Sequence, residues 1–495
     1  MRLRLIYIGL VAMLLTACKE VTDDTDVTVP EVNKCFINLS IAVTNSNGTI
    51  TRGTPSGGEN GDGREAGFDR ENAVTGITLM LYQTSDVAGI NTTANPVIDF
   101  VAYYPVSRLG SPAAAGTPYT EKTAEAVYQT GNQLVPQNAI DFTKTYRAIV
   151  VANADLTGSV AAGTSHLDVL RNMTLSGIYS GDETRPVASC GNFVMSSEQD
   201  QTLTFSGHGS QDAAGDYYYD LTTQPLVIER MAARIDFWAV NGSYNADKSG
   251  YVYDVTGSTD KFVVTAIMPF NLTNKHSTYG KEYLLKRLTD DLSSSTCQWL
   301  IDETTDNYVL DPKTKDKGSS EFPLLTNSLQ NVKDLTETTF ASSSYCKKVA
   351  DMHAAVAVSG TTSGYGKLSD MDKSGEDVIV AYPMENTLLP ESPLYYHATG
   401  IAVEGYYYKG GLTDSNPDRY VYYGYLRHQG EGDSYDITTT NSTTELSHQE
   451  TAMNIGIVRN NIYRVWIGSI DNKRNLTLRI VVKRWDKFTH ASIYM

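Results

Sequence analysis

The chain has 495 residues, of which 41% are hydrophobic and 20% are charged, and its formal net charge is −17. That length suffices for two ordinary domains with separate cores. Nucleic acid is excluded as an expected partner, because backbone phosphates require a basic protein face. The 32 tyrosines, together with the Thr, Val and Ile content, favour β-strands over helices.

The N-terminus has the pattern of a targeting signal. Arg2 and Arg4 precede an apolar stretch, residues 5–15, that is too short to cross a bilayer comfortably. The residues LTAC at Leu15–Cys18 resemble the lipobox of bacterial lipoproteins, in which a signal peptidase cuts before the cysteine and its thiol is acylated. We therefore expect a signal peptide over residues 1–17 and a lipid on Cys18. A plain secretory signal with a chance cysteine is the alternative.

The first strand is predicted by the residues INLSIAV. Its apolar side chains recur at every second position, as a half-buried strand requires; they are Ile37, Leu39, Ile41 and Val43. Residues 53–67 are then rich in Gly, Ser, Asp and Glu, a composition that cannot bury enough apolar surface to order itself. Such a segment exposes peptide bonds to a protease. Arg52 lies at its start, with Arg64 and Arg70 beyond.

Further strands are predicted along the middle of the chain. GITLMLYQ alternates, and YRAIVVANA, residues 146–154, is a continuous apolar run of the kind found in strands buried on both faces. Pro225 and the polar stretch before it predict a domain boundary, with an N-terminal domain over residues 53–224 and a C-terminal domain over 225–495. Residues 275–350 are polar and weakly patterned, and we interpret them as a long insertion with a helix near YCKKVADMHAAV.

The C-terminal region carries the strongest β pattern. A strand with Tyr463, Val465 and Ile467 on one face is followed by the turn DNKR. The next strand has alternating aliphatic residues, namely Leu476, Leu478, Ile480 and Val482. The last residues are also apolar, at Phe488, Ile493 and Met495. Because chain ends are usually polar and frayed, an apolar end predicts docking onto another surface.

Cysteines and metal motifs point to no chemistry. Four cysteines follow Cys18, at positions 35, 190, 297 and 346, and a cut after Arg52 would remove Cys35 as well. The remaining Cys190, Cys297 and Cys346 cannot all pair within one chain; Cys297 could pair with Cys346, but the sequence does not assign it. We find no zinc spacing, no nucleophile elbow and no phosphate loop. We therefore predict no metal, no cofactor and no catalysis.

Two other patterns have structural alternatives. The acidic turn at Ser369–Asp377 faintly resembles a calcium loop. Counted from Asp370, however, the twelfth position of such a loop is Ala381, where a bidentate Glu is needed. Tyrosine clusters occur at Tyr217–Tyr219, at Tyr406–Tyr408 and around Tyr422–Tyr425. Exposed tyrosines could stack on sugars or partner proteins, whereas tyrosines in a strand divide between core and surface, and we favour the second interpretation.

Several segments together resemble one family, the fimbrillins, which are subunits of the protease-assembled (type V) pili of Bacteroidia. They are the lipobox, ENAVTGITLMLY, YRAIVVANA, IERMAARIDF, VAYPMENT, YYGYLRH, GIVRNNIYRVWIGSI and the terminal VKRWDKFTHASIYM. GIVRNNIYRV, which resembles the entry to the last strands of shaft-type subunits, is the most specific. Residues 275–350 match no part of the resemblance.

The resemblance implies an all-β fold of two tandem, transthyretin-like β-sandwiches, mostly antiparallel, with minor helical insertions. It also implies a mechanism. Subunits reach the outer membrane as lipoproteins, and an arginine-specific protease cuts after the first strand. The lipid and that strand leave, and a C-terminal strand of another subunit fills the groove. On this chain the lipid is on Cys18, the cut follows Arg52 with Arg64 and Arg70 as rivals, and the departing strand is residues 37–43. The donor lies within residues 476–495.

Physical chemistry supports strand replacement independently. Removing one strand from a sandwich exposes two ladder edges, which are templates for another strand. Four buried aliphatic side chains contribute roughly 6–12 kcal/mol, at about 1.5–3 kcal/mol each. A whole domain is stable by only about 5–15 kcal/mol. Head-to-tail addition does not close on itself and therefore gives a filament.

Three alternatives remain open at this point. An anchor subunit would keep its lipid and stay uncut. A tip adhesin would lack a free donor strand. A surface lipoprotein that binds glycans through its tyrosines would need no cut and would stay monomeric.

Overall fold

The structure is a computed structural model of the chain. It describes residues 33–43, 64–66, 71–83, 96–109, 127–136, 138–167, 169–170, 173–176, 192–197, 201–239, 241–273, 275–277, 299–301, 307–309, 325–327, 332, 334–357, 377–387, 398–426, 434–440, 456–457, 459–471 and 475–486. Several predicted features lie outside these residues, namely Cys18, Arg52, Arg70, Cys190, Cys297, Phe488, Ile493 and most of the acidic turn at 369–377.

The first half of the chain forms strands. They are β1 (Cys35–Val43), β2 (Arg64–Ala66), β3 (Gly76–Tyr82), β4 (Ile98–Pro105), β5 (Ser107–Arg108), β6 (Val127–Gln129), β7 (Gln133–Val135), β8 (Thr145–Ala152), β9 (Thr174–Ser176), β10 (Met195–Ser197), β11 (Gln201–Thr204), β12 (Gly209–Gln211) and β13 (Tyr217–Arg230).

The described part of the second half adds further strands and two helices whose bounds the structure gives. The strands are β14 (Arg234–Trp238), β15 (Ser243–Asn245), β16 (Gly250–Asp254), β17 (Lys261–Phe270), β18 (Leu272–Thr273), β19 (Lys275–Ser277), β20 (Trp299–Ile301), β21 (Asn307–Val309), β22 (Leu325–Thr326), β23 (Lys347–Lys348), β24 (Asp377–Ala381), β25 (Asn386–Thr387), β26 (Gly400–Tyr408), β27 (Asp418–Tyr425), β28 (Ser434–Thr440), β29 (Gly456–Ile457), β30 (Asn461–Ile470) and β31 (Asn475–Asp486). The helices are α1 (Glu337–Ser342) and α2 (Val349–Ala357).

The predicted all-β fold with minor helical insertions is confirmed. The largest sheet has the strand order β4-β3-β8-β10-β13-β1-β6-β5, with β7, β11 and β12 attached to β1, β8 and β13. A second sheet has the order β2-β31-β30-β14-β24, with β28 also on β31. A third has the order β15-β16-β17-β26-β27, with β23 on β17. Most described pairings are antiparallel, and the parallel ones are β1 with β13, β14 with β30, and β2 with β31.

Strand patterns agree with their places in the sheets. The apolar run of β8 lies between β3 and β10, and its residues from Ala148 to Ala152 are all buried. In β3 even Thr78 is fully buried, and its hydroxyl donates to the Ala154 carbonyl at 2.7 Å. In β31, by contrast, buried Leu476, Leu478 and Ile480 alternate with more exposed residues, as a strand with one covered face requires.

Two large hydrophobic cores follow each other along the chain. The first is built mainly from residues 37–232, and the second from residues 233–480. The cores therefore change between Ala232 and Ala233, whereas the predicted boundary at Pro225 falls inside β13. The domain division into residues 53–224 and 225–495 remains a prediction.

The predicted helix near YCKKVADMHAAV is present as α2, which begins at Val349. The sequence did not predict α1. Its N-cap is Thr336, whose hydroxyl accepts the Thr339 N–H at 3.3 Å, and its Phe340 is buried in a third, smaller core cluster. Within the described residues, no helix has both the length and the apolar character needed to cross a membrane.

Candidate functional site

Strand β1 is held on both edges. It pairs in parallel with β13, from Cys35 opposite Tyr217 to Val43 opposite Ile228. On its other edge it pairs antiparallel with β7 at its start and with β6 near its end. A strand in this position contributes two hydrogen-bonded ladders, and its departure would open both neighbouring edges.

The inward face of β1 is completely buried. The exposed fraction is 0% for Ile37, Leu39 and Ile41 and 1% for Val43, and all four belong to the first core. On the outward face Phe36 stacks on Tyr218 of β13, with ring centroids 4.9 Å apart. The four predicted side chains are therefore core residues, and their removal would leave a row of apolar pockets.

The strands that pair with the two edges of β1 are called here the walls of its groove: β6 and β7 form one wall, and β13 forms the other. The wall formed by β6 and β7 is interrupted at Thr130. The Leu39 N–H donates to Thr130 Oγ1 at 2.9 Å, and the Thr130 N–H donates to the Leu39 carbonyl at 3.1 Å. Thr130 Oγ1 in turn donates to the Gly131 carbonyl at 2.9 Å. Gly131 has a φ of +63°, a value that suits glycine at this break between the strands. The ladder along β1 is thus continued by a side chain.

The opposite wall, β13, contains a bulge. Leu39 lies opposite Leu221 and Ile41 lies opposite Leu226, so two steps along β1 correspond to five along β13. The bulged segment is held from outside, because the Gln224 side chain bonds both the N–H and the carbonyl of Thr204, at 3.1 and 2.9 Å. The irregularity therefore belongs to the wall, and β1 keeps its regular period of two residues.

The start of β1 is held by a short polar contact. The Lys34 N–H donates to Asp216 Oδ1 at 2.8 Å, and the Tyr217 N–H donates to the Lys34 carbonyl at 2.8 Å. Cys35 follows as a free thiol, and its pKa is raised by burial and then by the Asp216 carboxylate. The rest of β1 is held mainly by backbone ladders and apolar contacts.

Two of the three candidate arginines, Arg52 and Arg70, lie outside the described residues. Arg64 begins β2, which pairs in parallel with the end of β31, Arg64 lying opposite Arg484. Glu71, which follows Arg70, is fully buried and forms an ion pair with Arg234. A protease binds several residues on each side of the scissile bond, so the burial of Glu71 disfavours a cut after Arg70 in the folded chain.

The candidate donor-strand residues fall into two groups. Some lie in the second core, and the others lie outside the described residues. Leu476, Leu478 and Ile480 are 0% exposed in the second core, where β31 lies between β28 and β30. The backbone of Val482 continues β31. Donation of the first three residues to another subunit would therefore remove them from the core of their own chain, while residues beyond 486 lie outside the description.

A buried ionic network joins the two cores, and sequence reasoning missed it. Arg234 is fully buried and bonds Asp236 through Nε and Nη2, at 3.0 and 2.9 Å. Its Nη1 reaches Glu71 Oε2 at 3.2 Å, and Glu71 also accepts from the Tyr382 hydroxyl. Arg464 lies 3.8 Å from Asp236. Paired and hydrogen-bonded charges of this kind are the ones that proteins can keep buried.

The network extends to neighbouring side chains. Arg230 donates to the Glu71 carbonyl at 3.0 Å, to Asn460 Oδ1 at 2.9 Å and to Asn72 Oδ1. Arg459 and Glu385 form a second fully buried pair at 2.6 Å. These residues come from ENAVTGITLMLY, IERMAARIDF, VAYPMENT and GIVRNNIYRV, so four segments that carry the family resemblance meet here. In the sequence these residues are visible as charged residues inside apolar runs. The alternation expected of a strand would place such charged residues on its exposed face, so their burial was not predicted.

The tyrosine clusters are mainly structural. Tyr422 and Tyr425 are 0% and 1% exposed, and Tyr407, Tyr408 and Tyr423 are also buried. Tyr217 is the most exposed described member of the clusters, at 37%. These strand tyrosines are thus divided between core and surface, as the favoured interpretation expects. The buried ones offer little surface on which a sugar could stack.

Cys346 should be a slow nucleophile in the folded chain. Burial, and next the Glu404 carboxylate, raise the pKa of its thiol to about 12. At pH 8 only about one thiol in 10⁴ would then be ionised, and the thiolate is the reactive form. We expect iodoacetamide at pH 8 to alkylate Cys346 far more slowly in the folded chain than in urea, as followed by peptide mass spectrometry. Cys346 is half-buried, so equal rates in the two states would show that its surroundings do not raise the pKa of its thiol.

Among the described residues, no group of three or more His, Cys, Asp or Glu side chains is arranged to hold a metal ion. Cys346 is a free thiol in the structure. Cys297, with which the sequence left a pairing open, lies outside the described residues.

Comparison with known proteins gives structural neighbours only. No protein-family model matches the chain, and a search of curated proteins found no match. The chain is similar to a provisionally named cell adhesion protein from Parabacteroides distasonis, with 13% identity, a TM-score of 0.41, and coverage of 92% of this chain and 100% of that one.

Two further neighbours come from Porphyromonas gingivalis. One is the fimbrilin FimA, with 14% identity, a TM-score of 0.36, and coverage of 93% and 99% of the two chains. The other is the tip fimbrial protein Mfa3 with a C-terminal truncation, with 10% identity, a TM-score of 0.35, and coverage of 91% and 100%. These neighbours are fimbrial and adhesion proteins of Bacteroidia, the group named by the sequence resemblance.

Proposed function

We propose that this chain is a structural subunit of an adhesive surface filament that assembles by strand exchange. In the proposal the chain is exported as an outer-membrane lipoprotein through Cys18 and cut after an arginine, with Arg52 as the first candidate. Strand β1 then leaves with the lipid, and a C-terminal strand of another copy takes its place. The protein acts through assembly and has no catalytic role.

The observation that best supports this proposal is the position of β1 in the first sheet. It is bonded on both edges, and its four aliphatic side chains are fully buried in the first core. It is also separated in sequence from β2 by residues 44–63, which contain Arg52 and no other arginine. A single cut there would turn a central strand into a separate peptide without dividing any other described strand.

The chemistry of the groove suits a replacement strand. Since β1 is held by backbone ladders and apolar contacts, any strand with aliphatic residues at every second position could supply the same contacts. The C-terminal segment 476–495 has such residues at 476, 478, 480 and 482. Because the first three lie in the second core of their own chain, donation requires that β31 rearrange or that the donor begin beyond them.

The alternatives differ in observable ways. An uncut anchor subunit would keep β1 where the structure has it. A tip subunit would be cut but would donate no strand. The burial of most strand tyrosines argues against a monomeric lipoprotein that binds glycans through them.

The proposal is tested by treating the purified lipid-free chain with an arginine-specific protease. We expect a new N-terminus at Gly53 by N-terminal sequencing and a ladder of multimers when the sample is run unboiled on a denaturing gel. A start at Glu65 or Glu71 with a ladder would keep strand exchange and move the site to Arg64 or Arg70. A chain that resists cutting, or is cut and stays monomeric, would overturn the role as a filament subunit.

A further inference from the structure

Strand β2 covers the end of β31, which belongs to the candidate donor segment. It pairs in parallel with β31 over three residues, from Arg64 opposite Arg484 to Ala66 opposite Asp486. On the same edge of β31, β28 reaches only as far as Val481. On the other edge, β30 begins opposite Arg484. Among the described strands, β2 is therefore the only one that pairs with β31 beyond Arg484.

The candidate cuts after Arg52 and after Arg64 differ in what they do to β2. Both separate β1 from the rest of the chain. After a cut at Arg52, the whole of β2 remains joined to β3 through residues 67–75. A cut after Arg64 falls inside β2, between two residues that pair with β31. It removes one of the three paired positions and makes the other two a free chain end, and chain ends fray.

The backbone at Arg64 lies where a protease can reach it. β2 is the edge strand of its sheet, so its outer edge has no partner among the described strands. A protease can bind an extended segment by pairing with such an edge. A ladder of three residues also opens locally more often than a long strand in a core. Arg64 therefore differs from Arg70, which is followed by the fully buried Glu71.

We propose that Arg64 is a second processing site, and that the cut after it frees the end of β31 for donation. The inference rests on the proposed function, since it needs a groove that β1 has left. An arginine-specific protease adds water across the Arg64–Glu65 peptide bond, leaving a carboxylate on Arg64 and an amine on Glu65. The cut after Arg52 opens the acceptor groove. The cut after Arg64 releases the donor, residues 484–495, to a second copy of this chain.

The position of this donor allows it to leave while its own domain stays folded. The earlier part of β31 is held by β28 and β30 and is buried in the second core, whose described residues end at Ile480. Departure of the stretch beyond Arg484 therefore leaves that core in place. While β2 is intact, its pairing with β31 lies within one chain and competes with a second copy at high effective concentration. β2 thus delays assembly until the chain has been cut.

The test compares the lipid-free wild-type chain with Arg52→Lys and Arg64→Lys, each treated with the arginine-specific protease. Lysine keeps the charge but is not cut. Capture of a fluorescent peptide of residues 476–495 reports an open groove, whereas multimers on unboiled denaturing gels also need a free donor. In the wild type, Gly53 should be the N-terminus of the early monomer and Glu65 that of the multimers.

The two variants should behave differently. Arg64→Lys, cut after Arg52, should capture the peptide like the wild type but form multimers about tenfold more slowly, which corresponds to a donor end that is free about a tenth of the time. Arg52→Lys, cut after Arg64, should do both at wild-type rates, because one cut then removes β1 and divides β2. Arg70→Lys is the matched control and should change neither readout.

A rescue experiment separates the missing cut from other effects of the substitution. Ala66→Pro removes a backbone N–H from β2 and disfavours its pairing with β31 without a cut. Added to Arg64→Lys, it should restore multimer formation. Hydrogen exchange of the backbone amides at residues 484–486 should likewise be faster in monomer that starts at Glu65 than in monomer that starts at Gly53.

The outcomes distinguish this inference from the proposed function. If Arg64→Lys captures the peptide and forms multimers at the wild-type rate, or if wild-type multimers start at Gly53, the second cut is not needed and strand exchange stands. If Ala66→Pro fails to restore Arg64→Lys, the delay does not come from β2 and the inference is wrong. If the cut wild type neither captures the peptide nor forms multimers, strand exchange itself is wrong, and the inference is overturned with it.

Discussion

Leu39→Ala should lower the free energy of unfolding of the uncut chain by about 2–5 kcal/mol, the usual cost of truncating a buried leucine. Leu39 is 0% exposed and lies between the two walls of the groove. The same substitution should leave the stability of cut and assembled material unchanged, because β1 is absent from it in the proposed mechanism. The measurement is the urea midpoint of the uncut chain and of purified multimers.

The matched control is Leu79→Ala. Leu79 is also 0% exposed and belongs to the same core, but it lies in β3, which stays in the chain after any of the candidate cuts. This variant should weaken both the uncut chain and the multimers by a similar amount. If Leu39→Ala weakens the multimers as much as Leu79→Ala does, β1 remains in the assembled subunit and the exchange mechanism is wrong.

The sequence predicts the elements on which this experiment depends. The alternation of Ile37, Leu39, Ile41 and Val43 predicted a strand, and all four are in the first core. Strands were also predicted in the regions of β3, β8, β30 and β31, and all of them form. Local patterns suffice for such predictions because the period of side-chain burial is a property of the strand itself.

Pairing partners could not be predicted, because they depend on contacts between residues far apart in the chain. β1 pairs in parallel with β13, although their paired positions, such as Cys35 and Tyr217 or Val43 and Ile228, lie more than 180 residues apart in the chain. The interruption of β6 and β7 at Thr130 has no local pattern beyond the following Gly131. Thr130 was accordingly absent from the predicted site, although its side chain continues the ladder along β1 by accepting the Leu39 N–H.

The buried charges were missed for a different reason. In IERMAARIDF the charged residues Glu229, Arg230, Arg234 and Asp236 interrupt an apolar run, and charged residues are usually exposed. All four are at most 2% exposed in the structure. Their burial depends on partners such as Glu71 and Asn460, whose positions only the tertiary structure supplies.

Loss of this network should weaken the protein in a way that strand exchange does not relieve. We expect Arg234→Met to cost about 3–5 kcal/mol in free energy of unfolding, because removing one partner of a buried ion pair leaves an uncompensated charge. Here two carboxylates, Glu71 and Asp236, would remain buried beside an apolar side chain. Adding Glu71→Gln to Arg234→Met should recover part of the loss. Urea unfolding of the uncut chain measures each effect.

Lys144→Met is the control for this network, because Lys144 and Asp141 form an ion pair at 3.6 Å with side chains 51% and 46% exposed. Pairs of this kind contribute about 0–1 kcal/mol. An Arg234→Met cost no larger than that of Lys144→Met would show that the buried network does not stabilise the fold. Since Glu71 lies beyond Arg52 and Arg64, the network stays in the cut chain, and Arg234→Met should weaken uncut chain and multimers alike. The contrast with Leu39→Ala then separates contacts that the subunit keeps from those that it exchanges.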